Sequence, residues 1–270
     1  MNNLKKSIDQ EFAKWKNSPP NLVQRGTGFL FKPVEILIKP FIKIITPLFE
    51  GVLKGLNHFI ASAIKETSNE ILDIDNMSEN EFEAWLKKQD SVSRKQISVG
   101  IALITAEGAA TGLGGATLLA VDIPASFGLI LGFANKIALT YQLDITDENV
   151  QVEIMKAISA GSETSVEGKA SAVATLKTTA NIINKQTWKS MGTATKGTIP
   201  HFIITIRAFL KKLGVNVTKR KAAQLIPVLG AVSGGVINGS WAADALEAVR
   251  QYARKSTSDL YFEKENTIQI

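Results

Sequence analysis

"GAATGLGGATLLAVDIPASFGLI", residues 108–130, carries five glycines, no positive charge and a single acid, Asp122. Three structures use such letters: a phosphate-binding loop, a membrane span, or two soluble helices packed backbone to backbone. A phosphate loop needs a Lys directly after its last Gly, or a strand feeding a helix with an acid further on. Neither is present here. "GSETSVEGK", residues 161–169, does not supply one elsewhere, because Glu163 stands where the loop would need glycine. A membrane span is better matched by length, since residues 108–135 could cross ~30 Å of hydrocarbon. Asp122 and Pro124 sit at its middle, however, and an Asp at the bilayer centre costs ~2.5–3.5 kcal/mol on insertion scales. Integral insertion is therefore not expected. The packed-helix reading uses more of the letters: Asp122 caps a helix whose first turn holds Pro124, where a missing N–H has no partner to lose. That helix would bury Phe127, Ile130, Leu131, Ala134, Ala138 and Tyr141, which recur at steps of three and four. Gly108 and Gly112, Gly128 and Gly132, and Gly230 and Gly234 are each four apart, a spacing that lets helix backbones approach closely. The stretch is predicted to be a helix, a tight Gly turn and a second helix, with its glycines in contact with a helix over residues 230–239.

Working outward, the same pattern governs the chain. Its 270 residues, 45% of them hydrophobic, suffice for a substantial core. Ala, Leu, Ile and Lys recur at helical period, with few alternating β-branched runs. The predicted fold is an all-α multi-helix bundle in which two Gly-rich apolar helical hairpin blocks pack together. The blocks run from Ile97 to Tyr141, interrupted only by Glu107, Asp122 and Lys136, and from Ala222 to Ala243, which has no charge. Between them "TDENVQVEIMKAIS" reads as a helix from Thr146 with Asp147 and Glu148 in its first turn. "KASAVATLKTTANIINKQTWKSM" and "FIITIRAFLKKLG" read as further helices, the latter stopped by Gly214. Residues 66–93 turn acidic and polar. There Ser78 with Glu81 fits a capping box for a helix through Trp85 and Leu86, expected to lie on the surface.

The net charge of +6 is concentrated at one end. Residues 1–65 hold 10 Lys and Arg against 4 Asp and Glu, and the rest of the chain is neutral. A basic quarter on a neutral body suits an anionic surface. Arg25 is the segment's only Arg, so membrane is favoured over nucleic acid. Residues 4–16 form an amphipathic helix ended by "NSPP". Beyond it Lys32, Glu35, Lys39, Lys43, Glu50, Lys54 and Asn57 share one helical stripe opposite a broad apolar face, punctuated by Pro33, Pro40 and Pro47. Lys32, Lys39, Lys43 and Lys54 are the candidate membrane-contacting residues. The division that follows is a basic, Pro-punctuated segment over 1–65, an acidic connector over 66–95, a helical core over 96–260 and a tail over 261–270. The charged N-terminus lacks the apolar run of a signal peptide, so the expected location is cytoplasmic, with membrane association.

"TLLAVDIPASFGLILGFANKIALTYQLD" followed by "KRKAAQLIPVLGAVSGGVINGSWAADALEAVRQYAR" resembles the EcsC family of bacterial proteins, over roughly residues 95–260. The matching marks are the Asp122-Ile123-Pro124 helix start, the Tyr141 to Asp144 turn, and the helix carrying Ile226, Pro227, Gly230 and Asn238 with Asp244 beyond it. Gln142 stands where the family pattern has glycine. The resemblance implies a helical protein, and the operon that names the family also encodes an ABC transporter. A membrane transporter complex of that type is thus an implied partner beside an anionic membrane surface. It implies no catalytic residues.

Chemistry must come from what remains. With no cysteine there are no thiolate nucleophiles, disulfides or Cys-based metal sites. No Gly-x-Ser-x-Gly elbow exists, and "AVSGG" around Ser233 only approaches one. His58 and His201 lack the H-x-x-x-H spacing of zinc enzymes, so neither a metal nor a cofactor is expected. The candidates are polar residues set in apolar blocks, Glu107, Asp122, Asn238 and Asp244, because a buried acid needs a partner. Asp122 as a cap and Asn238 as an interhelical hydrogen-bonding residue is the structural reading. A small-molecule or lipid-processing site between the two Gly-rich helices is the functional one. The leading expectation is a non-enzymatic protein peripherally bound to membrane.

Overall fold

The computed structural model describes residues 3–21, 55–66, 74–112, 115–183 and 230–268. The lysines at 32, 39, 43 and 54, the prolines at 33, 40 and 47, His201 and Gly214 lie outside the described residues. Every element among them is helical: α1 (Asn3–Asn17), α2 (Leu56–Glu66), a 3-10 turn (Ile74–Asn76), α3 (Glu79–Gly112), α4 (Gly115–Thr140), α5 (Glu148–Gly161), α6 (Val166–Ile183) and α7 (Gly230–Ile268). The all-α bundle read from the sequence is the fold.

Local signals set most boundaries. α1 stops where the Ser18 hydroxyl and N–H both donate to the Trp15 carbonyl, and Pro19 and Pro20 follow. At the start of α3 the Ser78 N–H donates to Glu81 Oε2 at 2.8 Å, the reciprocal half of a capping box. Asp147 caps α5 by accepting from the Asn149 N–H, one residue beyond the predicted start. α4 ends in a Schellman motif, with Leu143 N–H donating to Ala138 O and Gln142 N–H to Leu139 O. Gln142 occupies its left-handed position, φ 60°, without being glycine.

Two boundaries differ from expectation. α3 is 34 residues long and runs unbroken from the acidic stretch into the first apolar block. Phe82, Trp85 and Leu86, which the sequence placed on a surface helix, are buried, and Phe82 stacks on Tyr261 with ring centroids 3.9 Å apart. α4 begins at Gly115, so Pro124 and Asp122 lie inside a helix rather than at its start. Proline withholds one ladder hydrogen bond there, a penalty normally near ~3 kcal/mol, and the burial of α4 in the bundle outweighs it. Asp122 is therefore not a cap.

Among the described helices α7 is the longest, and it packs most extensively on α3, then on α5 and α4; α3 also packs on α4, α2 on α4, and α1 on α7 and α6. Every residue of α5 from Gln151 to Gly161 is buried. The crossing of α3 and α7 is made by glycines. A Cβ on Gly108 would fall 2.3 Å from Asn238 Nδ2, and one on Gly239 2.2 Å from Thr105 Oγ1. The predicted contact between the Gly108 region and the 230–239 helix is thus made at these positions, whereas Gly132 faces Phe59 of α2. One described stretch, Asp122–Thr140, is long and apolar enough to cross a membrane, and most of it is buried among the other helices.

Candidate functional site

The close α3–α7 approach carries polar side chains with it. Glu107 on α3, Asp122 and Ser126 on α4 and Asn238 on α7 meet in the apolar interior. Asn238 and Ser126 are 0% exposed and Asp122 2%. Asn238 Nδ2 lies 2.9 Å from Asp122 Oδ1, 3.1 Å from Ser126 Oγ and 3.3 Å from Glu107 Oε2. Ser126 donates to Glu107 Oε2 at 2.6 Å, and Thr111 donates to Asp122 Oδ1 at 2.7 Å. Two carboxylates thus converge on one amide, whose N–H groups are the donors a buried anion requires. The Asn238 Oδ1 atom is buried without a hydrogen-bond partner. The cluster can hold negative charge inside the bundle.

Three of the four sequence candidates, Glu107, Asp122 and Asn238, therefore come together, and Asn238 makes the interhelical bonds expected of it. Ser126 and Thr111 were missed, although each stands four residues after an acid, Asp122 and Glu107, and so shares its helical face. Asp244 is elsewhere: it accepts from Asn21 Nδ2 at 2.8 Å. Its carbonyl oxygen lies 2.3 Å from where a Cβ on Gly161 would be, so α5 and α7 touch by backbone there.

Asp244 also lines a cavity of about 200 Å³ with Trp15, Ser18, Glu163, Lys169 and Glu247. Lys169 donates to the Ser18 hydroxyl at 3.1 Å and sits 4.5 Å from the centre of the Trp15 ring. Burial pushes its amine below the usual lysine range, and Asp244 and Glu247 draw it part of the way back. No local sequence signal marks this site, because these residues come from three helices and two connections between helices.

A third polar assembly fastens the ends of the chain together. Arg250, 1% exposed, contacts Glu247, Asp90 and Glu11, and Arg254 contacts Asp90 and Glu11. Burial disfavours the Arg250 charge, but Glu247 more than restores it, so the guanidinium is held in its charged form. Tyr141 donates to Asp90 at 2.7 Å, and burial, then the Asp90 charge, raises its phenol. Lys255 pairs with Asp9 and Asp259. His58, on α2, is exposed. Among the described residues no three acidic or histidine side chains converge as a metal site would require.

An all-helical bundle stitched by glycines, with acids buried at the crossing, is the class of protein these features define. A model of the EcsC protein family matches residues 5–255, and the chain belongs to that family. The match begins at residue 5, well before the region in which the resemblance was visible. A curated relative, the uncharacterized protein YdbA of Bacillus subtilis (strain 168), is 32% identical over 143 residues. Those residues are 53% of this chain and 48% of the relative, so about half the length of each is aligned. No solved structure matches.

Proposed function

We propose that this protein is a non-enzymatic helical protein that associates peripherally with an anionic membrane surface, or with a membrane complex at that surface, through its basic N-terminal quarter. One observation carries the reading. The N-terminal 65 residues hold the whole net charge of +6, and the acids of α1 are engaged by bases of α7. Asp9 pairs with Lys255 and Glu11 with Arg250 and Arg254, while Lys6 and Lys14 are exposed. The positive charge of α1 is left facing outward, the arrangement by which basic segments bind anionic lipid at roughly 1 kcal/mol per Lys or Arg.

The test is sedimentation with vesicles of phosphatidylglycerol and phosphatidylcholine at low salt. Reversing Lys32, Lys39, Lys43 and Lys54 to Glu lowers binding by at least about a hundredfold on that scale. Unchanged binding of the reversed protein overturns the reading. In cells, the protein is expected in the fraction released from membranes by a salt wash and not in the one that needs detergent.

A second reading is favoured by the unpartnered Asn238 Oδ1. It makes the Glu107, Asp122 and Asn238 cluster a small-molecule or lipid-processing site, and it predicts that Asn238→Ala abolishes ligand-induced stabilisation in a metabolite screen of the intact protein.

A further inference from the structure

On α3, the residues exposed between Ser98 and Gly112 are Ser98, Val99, Ala102, Leu103, Ala106, Ala109 and Ala110. None is charged. Val99 is 49% and Leu103 51% exposed, values unusual for large apolar side chains when they recur on adjacent turns of one helix. Val236, 50% exposed, extends this face onto α7, beside the Gly235 that backs onto the Thr105 carbonyl. Just before the apolar turns, Arg94 and Lys95 are exposed on the same helix.

Only two acids occur from Gln96 to Asn135, Glu107 and Asp122, and no base. Both carboxylates are held at the junction of α3, α4 and α7, Glu107 by Ser126 and Asp122 by Thr111 and Asn238. Residues 230–243 of α7 add no charge either. This end of the bundle therefore shows an apolar face with a basic edge, and its two acids are hydrogen-bonded, Asp122 buried and Glu107 half-buried.

We infer that the α3 face around Val99 and Leu103, with Val236 beside it, inserts into the interfacial region of an anionic bilayer while Arg94 and Lys95 contact the headgroups. The inference rests on the peripheral-membrane reading above and deepens it by naming the element that enters lipid. Charge complementarity commits the face to anionic lipid. An apolar surface flanked by unopposed cations fits such a bilayer, and neither Arg94 nor Lys95 makes an ion pair with any described residue. On this account the Asn238 cluster supplies hydrogen-bond donors to both carboxylates where lipid offers no water to solvate them.

Because the chain has no cysteine, Leu103→Cys can carry an environment-sensitive fluorophore as the unique label on the full-length protein. With phosphatidylglycerol-containing vesicles its emission shifts to the blue and is quenched by nitroxide lipids, while a probe at exposed Glu167 (Glu167→Cys) does neither. The double variant Val99→Asp/Leu103→Asp, with the N-terminal lysines intact, loses at least tenfold in vesicle affinity and keeps the helical circular dichroism of the parent. A probe at 103 that stays in water on vesicles that do bind the protein overturns the insertion and leaves the N-terminal reading standing. Absence of all vesicle binding overturns both. A blue shift that appears without vesicles as protein concentration rises assigns the face to a second copy of the chain and overturns the proposal.

Discussion

At the scale of single residues, Gln142 and Asn238 show opposite kinds of local conflict. Gln142 sits in the left-handed region that closes the Schellman motif after α4, a conformation costing roughly 1–2 kcal/mol for a residue with a Cβ. Gln142→Gly is expected to raise stability by about 1 kcal/mol, read as a higher urea midpoint with an unchanged slope; a lower midpoint would mean that contacts of the Gln side chain outweigh the strain. The turn forms without glycine because its two hydrogen bonds and the burial of Tyr141 and Leu143 hold it. Asn238 is instead a polar residue whose amide supplies the donor facing two carboxylates, buried Asp122 and half-buried Glu107. Asn238→Ala removes that donor and opens space at a helix crossing, for an expected loss of about 2–3 kcal/mol. Asn238→Ala should unfold at correspondingly lower denaturant at neutral pH; equal stability would show that Ser126 and Thr111 suffice to satisfy the acids.

At the scale of elements, the glycines separate into those that set a crossing and those that do not. A Cβ at Gly161 would meet the Asp244 carbonyl oxygen at 2.3 Å and Ala245 Cα at 2.8 Å, both main chain, so α5 and α7 would have to move apart. One at Gly108 would press into the Asn238 side chain, which the cluster clamps in place. At Gly132 the nearest neighbour is Phe59 Cδ1 at 3.7 Å, an ordinary contact. Gly161→Ala and Gly108→Ala are expected to destabilise by about 1–3 kcal/mol, against the ~1 kcal/mol of helix propensity that alanine gains, while Gly132→Ala should stabilise by up to ~1 kcal/mol. Thermal unfolding of the three variants checks the order. The same contrast shows what was legible in the sequence. Helical period, the Ser78 to Glu81 cap, the acids Asp147 and Glu148 near the start of α5 and the four-residue glycine spacings are local, and they named the helices and the meeting of the Gly108 region with the 230–239 helix. The start of α4 was not legible, because Asp-x-Pro reads identically at a helix N-terminus and inside a buried helix, and only tertiary packing decides between them. For the site, polar residues in apolar runs pointed to Glu107, Asp122 and Asn238. The cavity around Lys169 joins residues from Trp15 to Glu247, a separation no local pattern spans.

At the scale of the whole molecule, the first and last described helices are tied by charge, and this fixes how stability should respond to acid. Glu11 of α1 faces Arg254 and Arg250 of α7. Burial alone would raise its carboxyl, but Arg254, then Arg250, overcome this and hold it below the ordinary value of 4.5. A carboxylate whose folded value is depressed favours the folded state above its unfolded value, and that contribution disappears as pH falls through the depressed one. Glu11→Gln lacks it at every pH. The wild-type protein is therefore expected to be the more stable of the two at pH 7, with the gap closing below about pH 4.5. Glu66, Glu81 and Asp144, whose carboxyls are also held low by hydrogen bonds, are common to both proteins and cancel in the comparison. Glu11 is partly exposed, so added salt should narrow the gap at neutral pH as well. Denaturant midpoints of both proteins from pH 7 to pH 3 measure the effect, and a gap independent of pH would show that α1 is held by its apolar contacts, such as buried Ile8, rather than by Glu11. That distinction bears on the membrane reading directly: the pairing of Asp9 and Glu11 with α7 leaves the charge of α1 facing outward as lysine, and a helix docked without those pairs would present acids and bases alike to an anionic surface.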